Sequence, residues 1–324
     1  TIGSGWYLLI LDGLMIYQQS LPDMFSAKDF VWNDYNHSLF RGHSHHVENA
    51  KFSRDGTKIV SSSFDNTIRI WDIKSGKQIQ ILKGHSYWIN YSQFSPDNNM
   101  ILSCSSDETI GLWDAKSGLL LKTLKGHLDH VLKANFSPDG KTIVSCSSDS
   151  TIRLWDVESG KEIKRLNGHL DEVTNAQFSP DGQTIVSSSY DETIALWDVI
   201  SGKKMKELTG HIHFVTGSQL SPDGLSVVSC STDYTVRLWN VKSGEETKRL
   251  EGHLSDVTDV LFSPDGHIIA SCSFDKTIRL WDTKLGVEVQ ALKGHSRKVT
   301  GLDFSSDGST IVSSSNDKTI RLWG

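Results

Sequence analysis

Long apolar stretches, clustered basic residues and abundant cysteines are all missing from this sequence of 324 residues. No stretch reaches the roughly 18 apolar residues of a membrane-spanning helix, so no membrane partner is expected. No basic amino-terminal region is followed by an apolar core and a cleavage site, so no secretory signal is predicted. The chain begins with Thr1 rather than methionine, which we interpret as the mark of a fragment or a processed product.

Charge is modest and is spread along the chain. The formal net charge is −6, and acidic and basic residues are interleaved. A nucleic-acid-binding surface would need clustered lysines and arginines. No nucleic-acid partner is therefore expected.

The stretch GHLDHVLKANFSPDGKTIVSCSSDSTIRLWD at residues 126–156 is one of seven similar copies that follow one another in unbroken register. The Gly-His pairs begin at Gly42, Gly84, Gly126, Gly168, Gly210, Gly252 and Gly294. The closing tryptophans are Trp71, Trp113, Trp155, Trp197, Trp239, Trp281 and Trp323. A fixed period of 42 residues indicates a repeat architecture.

Gly-His followed by Trp-Asp at this length resembles the WD-repeat (β-transducin repeat) family, whose units build β-propellers. The resemblance covers residues 36–324. It implies an all-β fold, a seven-bladed β-propeller with four-stranded antiparallel blades. Residues 1–35 fall outside the repeat, and we expect an N-terminal extension with a hairpin around Asp12-Gly13 that decorates the ring. The alternatives are a remnant of a preceding domain or a degenerate eighth blade.

The ends of the repeat predict how the ring closes. The seventh copy ends at Gly324 without a fourth strand, whereas residues 36–41 supply a fourth-strand sequence with no blade before it. We therefore expect the N-terminal strand to pair with the C-terminal blade, which would leave no open sheet edge at the junction. The ring is expected to be monomeric.

The four cysteines, Cys104, Cys146, Cys230 and Cys272, occupy one register position. Equivalent positions in packed neighbouring sheets should lie roughly 10 Å apart, beyond the about 7 Å between Cα atoms that a disulfide can bridge. We expect buried free thiols in a reducing compartment, namely the cytoplasm or, alternatively, the nucleus.

Each copy contains the serine, histidine and aspartate of a hydrolase triad. The resemblance implies instead a structural tetrad, in which aspartate and serine bind the two histidine nitrogens and serine also meets the tryptophan indole N–H. Seven identical sites favour a scaffold, because an enzyme needs one exposed nucleophile. The tetrads are His43, Ser61, Asp65, Trp71; His85, Ser103, Asp107, Trp113; His127, Ser145, Asp149, Trp155; His169, Ser187, Asp191, Trp197; His211, Ser229, Asp233, Trp239; His253, Ser271, Asp275, Trp281; and His295, Ser313, Asp317, Trp323.

No cofactor and no metal site is predicted. The segment His43-Ser44-His45-His46, with His37 nearby, has the histidine content of a metal site. However, His43 belongs to a tetrad, and no carboxylate or cysteine lies at ligand spacing. A second irregularity concerns Gly111 and Ala195, which stand where five copies have arginine. Nothing in the sequence explains that exchange.

Functional specificity is expected where otherwise matching copies differ. Two such positions, before the first strand and before the tetrad aspartate, should lie in loops at one end of the ring. In WD-repeat proteins this end is a common partner-docking surface, and exposed aromatic residues there suit protein or peptide capture. The candidate partner-binding residues are His46, Phe64, Trp88, His130, Glu172, Tyr190, Phe214, Asp256, Phe274 and Lys298.

These features predict a non-enzymatic scaffold that binds a protein or peptide on the loops around the central channel. One alternative is a sensor or autoinhibitory domain of a larger multidomain signalling NTPase. A propeller hydrolase is the third possibility, but no copy shows the extra acid, base or metal ligand that it would need.

Overall fold

The structure, a computed structural model, describes residues 6–11, 14–19 and 39–324. The chain separates into two compact units, Thr1–Asn33 and Asp34–Gly324. In the first unit, β1 (Trp6–Leu11) pairs antiparallel with β2 (Leu14–Gln19), and Leu11 lies opposite Leu14. Asp12-Gly13 and His37 lie outside the described residues. The role assigned to residues 1–35 stays a prediction.

The second unit consists of seven four-stranded antiparallel sheets. Its strands, in chain order, begin with β3 (Leu39–Arg41) and blade 1, formed by β4 (Val47–Phe52), β5 (Lys58–Ser63), β6 (Thr67–Asp72) and β7 (Gln78–Lys83). Blade 2 is β8 (Ile89–Phe94), β9 (Met100–Ser105), β10 (Thr109–Asp114) and β11 (Leu120–Lys125). Blade 3 is β12 (Val131–Phe136), β13 (Thr142–Ser147), β14 (Ile152–Asp156) and β15 (Glu162–Leu166). Blade 4 is β16 (Val173–Phe178), β17 (Thr184–Ser189), β18 (Thr193–Asp198) and β19 (Lys204–Thr209).

The remaining blades repeat this order. Blade 5 is β20 (Val215–Leu220), β21 (Ser226–Ser231), β22 (Val236–Asn240) and β23 (Glu246–Leu250). Blade 6 is β24 (Val257–Phe262), β25 (Ile268–Ser273), β26 (Thr277–Asp282) and β27 (Glu288–Lys293). Blade 7 is β28 (Val299–Phe304), β29 (Ile311–Ser315) and β30 (Thr319–Trp323), completed by β3.

First strands of neighbouring blades contact one another all the way round, including β28 against β4. They are therefore the inner strands, and they surround a central channel. The predicted all-β, seven-bladed propeller with four-stranded antiparallel blades is confirmed. At the junction, Leu39, Phe40 and Arg41 pair with Arg321, Ile320 and Thr319. No helix that could cross a membrane occurs in the part of the chain that the structure describes.

The core lies between blades rather than within them. One apolar cluster joins Val144 and Leu154 of blade 3 to Val173 and Trp197 of blade 4. At the junction between blades 7 and 1, Phe40 is 1% exposed, and its ring packs edge-on against that of Trp71. A single blade cannot bury both of its apolar faces, so the ring is the smallest unit that completes the core.

Turn chemistry sets the ends of the strands. Gly140 has φ +71°, and its N–H donates to the carbonyl of Ser137 across the Ser-Pro-Asp-Gly turn. Asn98 replaces this glycine in blade 2 and adopts φ +61°. Asparagine tolerates the left-handed region better than most side chains, so the exchange preserves the turn.

The four cysteines are free and buried. Burial raises the pKa of Cys146 and of Cys230 to about 12. A thiol that stays protonated is a weak nucleophile, so these side chains serve as small core residues.

Candidate functional site: the loop face of the ring

Every blade contains the same chain of three side-chain hydrogen bonds. In blade 3, His127 Nδ1 lies 2.9 Å from Asp149 Oδ2, and His127 Nε2 lies 2.7 Å from Ser145 Oγ. The indole N–H of Trp155 donates to the same Ser145 Oγ over 2.8 Å. All seven tetrads share this arrangement, with separations of 2.7–2.9 Å.

The surrounding groups fix the charge of each tetrad aspartate. Burial alone would raise the pKa of Asp149, but hydrogen bonds from His127, from the Thr151 hydroxyl and from the Leu128 N–H outweigh it. The pKa of this carboxyl is therefore held well below its usual range. Burial also lowers the pKa of His127, so the neutral imidazole is favoured.

These tetrads are closed to substrates. Ser145 is 0% exposed, and its Oγ already contacts both the imidazole and the indole. A hydrolytic serine needs an open side and a pocket for the developing oxyanion, and this geometry offers neither. Buried, fully bonded networks of this kind rigidify a fold. Within residues 39–324, no three His, Cys, Asp or Glu side chains are arranged to hold a metal ion.

An arginine on the third strand braces the tetrad in several blades. Arg153, whose side chain is 1% exposed, donates to Asp149 Oδ2 over 3.4 Å and to Glu162 Oε2 over 2.7 Å. Arg237 contacts Asp233 and Glu246 in the same way. The arginine therefore links the tetrad to an acceptor on the fourth strand.

This contact explains why two blades lack the arginine. Where the third strand has Gly111 or Ala195, the fourth-strand acceptor is replaced by Leu120 or Lys204. In blade 4 the Lys204 ammonium lies 5.6 Å from the centre of the Trp197 ring instead. The two positions change together because a buried guanidinium without its second acceptor would be costly.

Two irregular segments of each blade meet at one end of the ring, which we call the loop face. One segment precedes the first strand, and the other connects the second and third strands. The variable residues of the two segments are joined by a backbone hydrogen bond, as in Phe64 N–H to His46 O at 3.0 Å. The other pairs are Ser106 with Trp88, Ser148 with His130, Tyr190 with Glu172, Thr232 with Phe214, Phe274 with Asp256, and Asn316 with Lys298.

Aromatic side chains of blades 1 and 2 form one continuous stack on this face. The rings of Phe64 and Trp88 are parallel within 9°, with centroids 4.2 Å apart. Tyr87 stacks on Trp88 at 4.9 Å, while His45 and His46 pack against Phe64 at 5.9 and 5.7 Å. We call these five residues the aromatic patch. Trp88 is 37% exposed and Tyr87 44% exposed, so part of the patch faces solvent.

The other candidate residues also pair between blades. Tyr190 stacks on Phe214 with centroids 4.4 Å apart, and Lys298 Nζ lies 4.1 Å from the centre of the Phe274 ring. The carboxylate of Glu172 accepts from the hydroxyl of Ser148 at 2.9 Å.

His130 lies near Tyr87, with ring centroids 6.4 Å apart. Asp256 is half-buried and accepts the N–H of Phe274 through its backbone carbonyl. The ten residues selected from the sequence therefore all lie on the loop face, and nine of them contact at least one other of the ten; His130 instead lies near Tyr87. The sequence reasoning missed His45 and Tyr87, although their register position also differs between copies.

The channel itself holds polar contacts that the sequence reasoning did not anticipate. Every first strand has a β-bulge after its first residue, which turns the next side chain toward the following blade. In five blades that side chain donates to a backbone carbonyl of the next first strand. The donors and acceptors are Asn90 with Val131, Thr174 with Val215, Thr216 with Val257, Thr258 with Val299, and Thr300 with Val47.

An ion pair crosses the channel. Lys133 of blade 3 reaches Asp259 of blade 6, with Nζ and Oδ1 3.1 Å apart. Burial alone would lower the pKa of Lys133, but Asp259 outweighs it and raises that pKa. A second pair joins Lys51 to Asp303 at 3.4 Å, and Lys51 and Lys133 each lie 5.9 Å from the Tyr91 ring centre. The first pair ties together blades 3 and 6, which are not neighbours, whereas the second joins the neighbouring blades 7 and 1.

The opposite end of the ring, the turn face, has a depression of about 490 Å³. Its wall consists largely of Phe-Ser-Pro segments, which include Phe94, Phe136 and Phe178. The segment is the same in blades 2, 3, 4 and 6, and each of the other three copies differs from it at one position. The loop face, by contrast, differs from blade to blade.

Comparison with known proteins agrees with this architecture. The family model "WD domain, G-beta repeat" matches residues 35–72, 76–114, 118–156, 160–198, 202–240, 244–282 and 286–324. One relative, "Small ribosomal subunit protein RACK1" of Candida albicans, is 44% identical over 41 residues, which is 13% of this chain and 13% of that protein. The similarity to that relative thus spans about one repeat. Seven matched repeats cover most of the sequence, and the chain belongs to the WD domain, G-beta repeat family.

Proposed function

We propose that this protein is a non-enzymatic scaffold that binds a protein or peptide on its loop face, around the channel mouth. The observation that carries the proposal is the aromatic patch, in which stacked rings from two blades remain partly exposed. Rigid, partly exposed aromatic residues contribute large contact area at low entropic cost, and they are enriched at binding hot spots.

Two features support the loop face over other surfaces. Each tetrad holds its histidine, serine and aspartate side chains in structural hydrogen bonds, so none of the seven tetrad serines is free to act as a nucleophile. Four of the seven copies share the Phe-Ser-Pro segment that lines the turn-face depression, whereas no residue type occurs more than twice at either variable position of the loop face. A single asymmetric partner is recognised by differences, so specificity belongs to the loop face.

The remaining candidate residues extend the proposed surface around the ring. Phe214 and Phe274 are 45% and 37% exposed, and Lys298 adds a positive charge beside Phe274. We assign the ring to a reducing compartment, the cytoplasm or the nucleus, on the basis of its four free thiols. The monomeric state and the role as a sensor domain of a larger NTPase stay predictions.

Affinity capture tests the proposal with two triple variants. The first replaces Phe64, Trp88 and Phe274 of the loop face with alanine. The matched control replaces Ile200, Leu225 and Leu285, which are 85%, 65% and 61% exposed in turns of the opposite face. We expect the loop-face variant to lose partners that wild type and control both retain. Equal recovery by both variants, with unchanged melting, would refute the assignment.

A further inference from the structure

The residue that follows each Gly-His pair divides the loop face into two parts. Four successive blades carry an aliphatic side chain there, and the other three carry a serine. The aliphatic residues are Leu128, Leu170, Ile212 and Leu254, which we call the aliphatic arc. The serines are Ser44, Ser86 and Ser296.

The aliphatic arc is highly exposed. Its members are 76%, 90%, 67% and 81% exposed in the order given. Their backbones are nevertheless held in place, because the N–H of Leu128, Leu170 and Leu254 donates to the tetrad aspartate of the same blade at 2.9–3.0 Å. The fold itself does not require an apolar side chain, since Ser44 makes the same backbone contact at 3.0 Å. Four exposed aliphatic residues in succession are therefore unexplained by folding.

Charge follows the same division. The four segments that contain the arc run from the end of a fourth strand to the start of the next first strand, at residues 125–131, 167–173, 209–215 and 251–257, and hold five acidic residues and one lysine. The acidic residues are Asp129, Asp171, Glu172, Glu251 and Asp256. The three serine-containing segments, residues 41–47, 83–89 and 293–299, hold five basic residues and no acidic one, and three of the basic residues end their fourth strands. The basic residues are Arg41, Lys83, Lys293, Arg297 and Lys298.

We propose that the aliphatic arc and its acidic neighbours bind a basic, amphipathic segment of another protein. Leucine-type side chains of the segment would cover the arc, and its lysines or arginines would lie against the five carboxylates. The acidic loops would repel an acidic segment and attract a basic one, so charge selects the partner's sign. This inference rests on the proposed function, but it names a different part of the loop face from the aromatic patch and fixes the chemistry of the occupant.

The chain supplies its own matched variant for the test. Replacing Leu128, Leu170, Ile212 and Leu254 with serine copies the residue that three blades already tolerate. The probe is a fluorescent amphipathic peptide made of leucine and lysine, and the control peptide replaces each lysine with glutamate. Binding of each peptide to the full chain is followed by anisotropy, and light scattering reports the oligomeric state.

We expect the lysine peptide to bind wild type about tenfold or more tightly than the glutamate peptide, with affinity that falls as salt is raised. The serine variant should keep the wild-type melting temperature and lose about tenfold or more of that affinity. The Phe64, Trp88 and Phe274 alanine variant should bind the lysine peptide within about twofold of wild type, which separates this proposal from the aromatic patch.

Three results would overturn the inference. They are equal affinity for the two peptides, unchanged affinity in the serine variant, and a wild-type dimer that the serine substitutions dissociate. The last would show that a second copy of the chain covers the arc. If peptide binding behaves as expected while the alanine variant still captures every wild-type partner, the arc stands and the aromatic assignment fails.

Discussion

Removing one tetrad aspartate should destabilise the ring by an amount that depends on the blade. Asp149→Ala in blade 3 takes away the acceptor of His127 Nδ1, of the Thr151 hydroxyl and of two backbone N–H groups. The exposed Leu128 N–H can turn to water, but His127 is only 5% exposed. Leaving a buried donor unpaired costs about 1–3 kcal/mol, so the tetrad contacts alone predict a loss of about 2–3 kcal/mol.

The Asp149→Ala variant should lose more stability than this because Arg153 also contacts Asp149. Its guanidinium keeps Glu162 but loses one of its two carboxylate partners, while the side chain remains 1% exposed. Truncating one partner of a buried ion pair is strongly destabilising, and partial loss should add about 1–2 kcal/mol. We therefore expect about 3–5 kcal/mol in total for Asp149→Ala.

Asp107→Ala in blade 2 is the internal control. Asp107 makes the same bonds to His85 and Thr109, but Gly111 stands where blade 3 has its arginine. The expected loss is about 2–3 kcal/mol. Urea unfolding followed by tryptophan fluorescence measures both variants. Equal losses would refute the role given to the arginine, and an unchanged midpoint in both variants would refute the stabilising role of the network.

Three further expectations come from the same contacts. Arg153→Gly and Glu162→Leu, which copy blade 2, should be coupled by about 1 kcal/mol or more in a double-mutant cycle; additive losses in urea would contradict the pairing. Lys133→Met should cost about 3 kcal/mol, because Asp259 stays behind in the channel, and adding Asp259→Leu should restore most of it; a neutral single variant in thermal unfolding would argue against the cross-channel pair. Stability should fall with acid: burial holds the pKa of three tetrad histidines below 6.5, so the unfolded chain binds protons more readily as pH drops below that value. The tetrad aspartates, whose pKa values lie well below 3.8, add to the loss below about pH 4. Burial raises the pKa of Glu48 to about 7, which acts in the opposite direction, so the test uses Glu48→Gln; a melting temperature of this variant that rises between pH 6.5 and 3 would contradict both shifts.

The blade architecture could be predicted because seven copies agree. A turn such as Ser137-Pro138-Asp139-Gly140 is weak evidence once, but its register recurs in every period. Agreement between copies also reveals what a position requires. The register position of Ser62 and Cys104 holds either serine or cysteine in every copy, so this position requires a small buried residue. Comparison of copies at one position did not explain why Gly111 replaces arginine, because the missing acceptor belongs to another position, Leu120 on the fourth strand.

Contacts between blades were harder to predict from the sequence. Phe64 and Trp88 were both selected as variable residues, yet nothing in their own repeats indicates that they stack on each other. The structure shows a recurring relation: in four blades, the residue before the tetrad aspartate contacts the residue 24 positions later, in the next blade. A pattern read within one repeat cannot show this, because the partners belong to consecutive repeats.

The channel shows where periodicity stops being informative. Lys133 and Asp259 are 126 residues apart, which is three periods, and three blades is the largest separation that a ring of seven allows. The same register position is asparagine in blades 1 and 4 and glycine in blades 5 and 7. Only Lys133 and Asp259 are charged there, and these two side chains meet across the channel. The loop face is asymmetric as well: four successive blades carry the aliphatic residues, three of these four also carry acidic residues, and the other three blades carry basic residues. Similar repeats form the ring, and the differences between them in the channel and on the loop face make those surfaces asymmetric. A scaffold needs such asymmetry in order to hold one partner in one orientation.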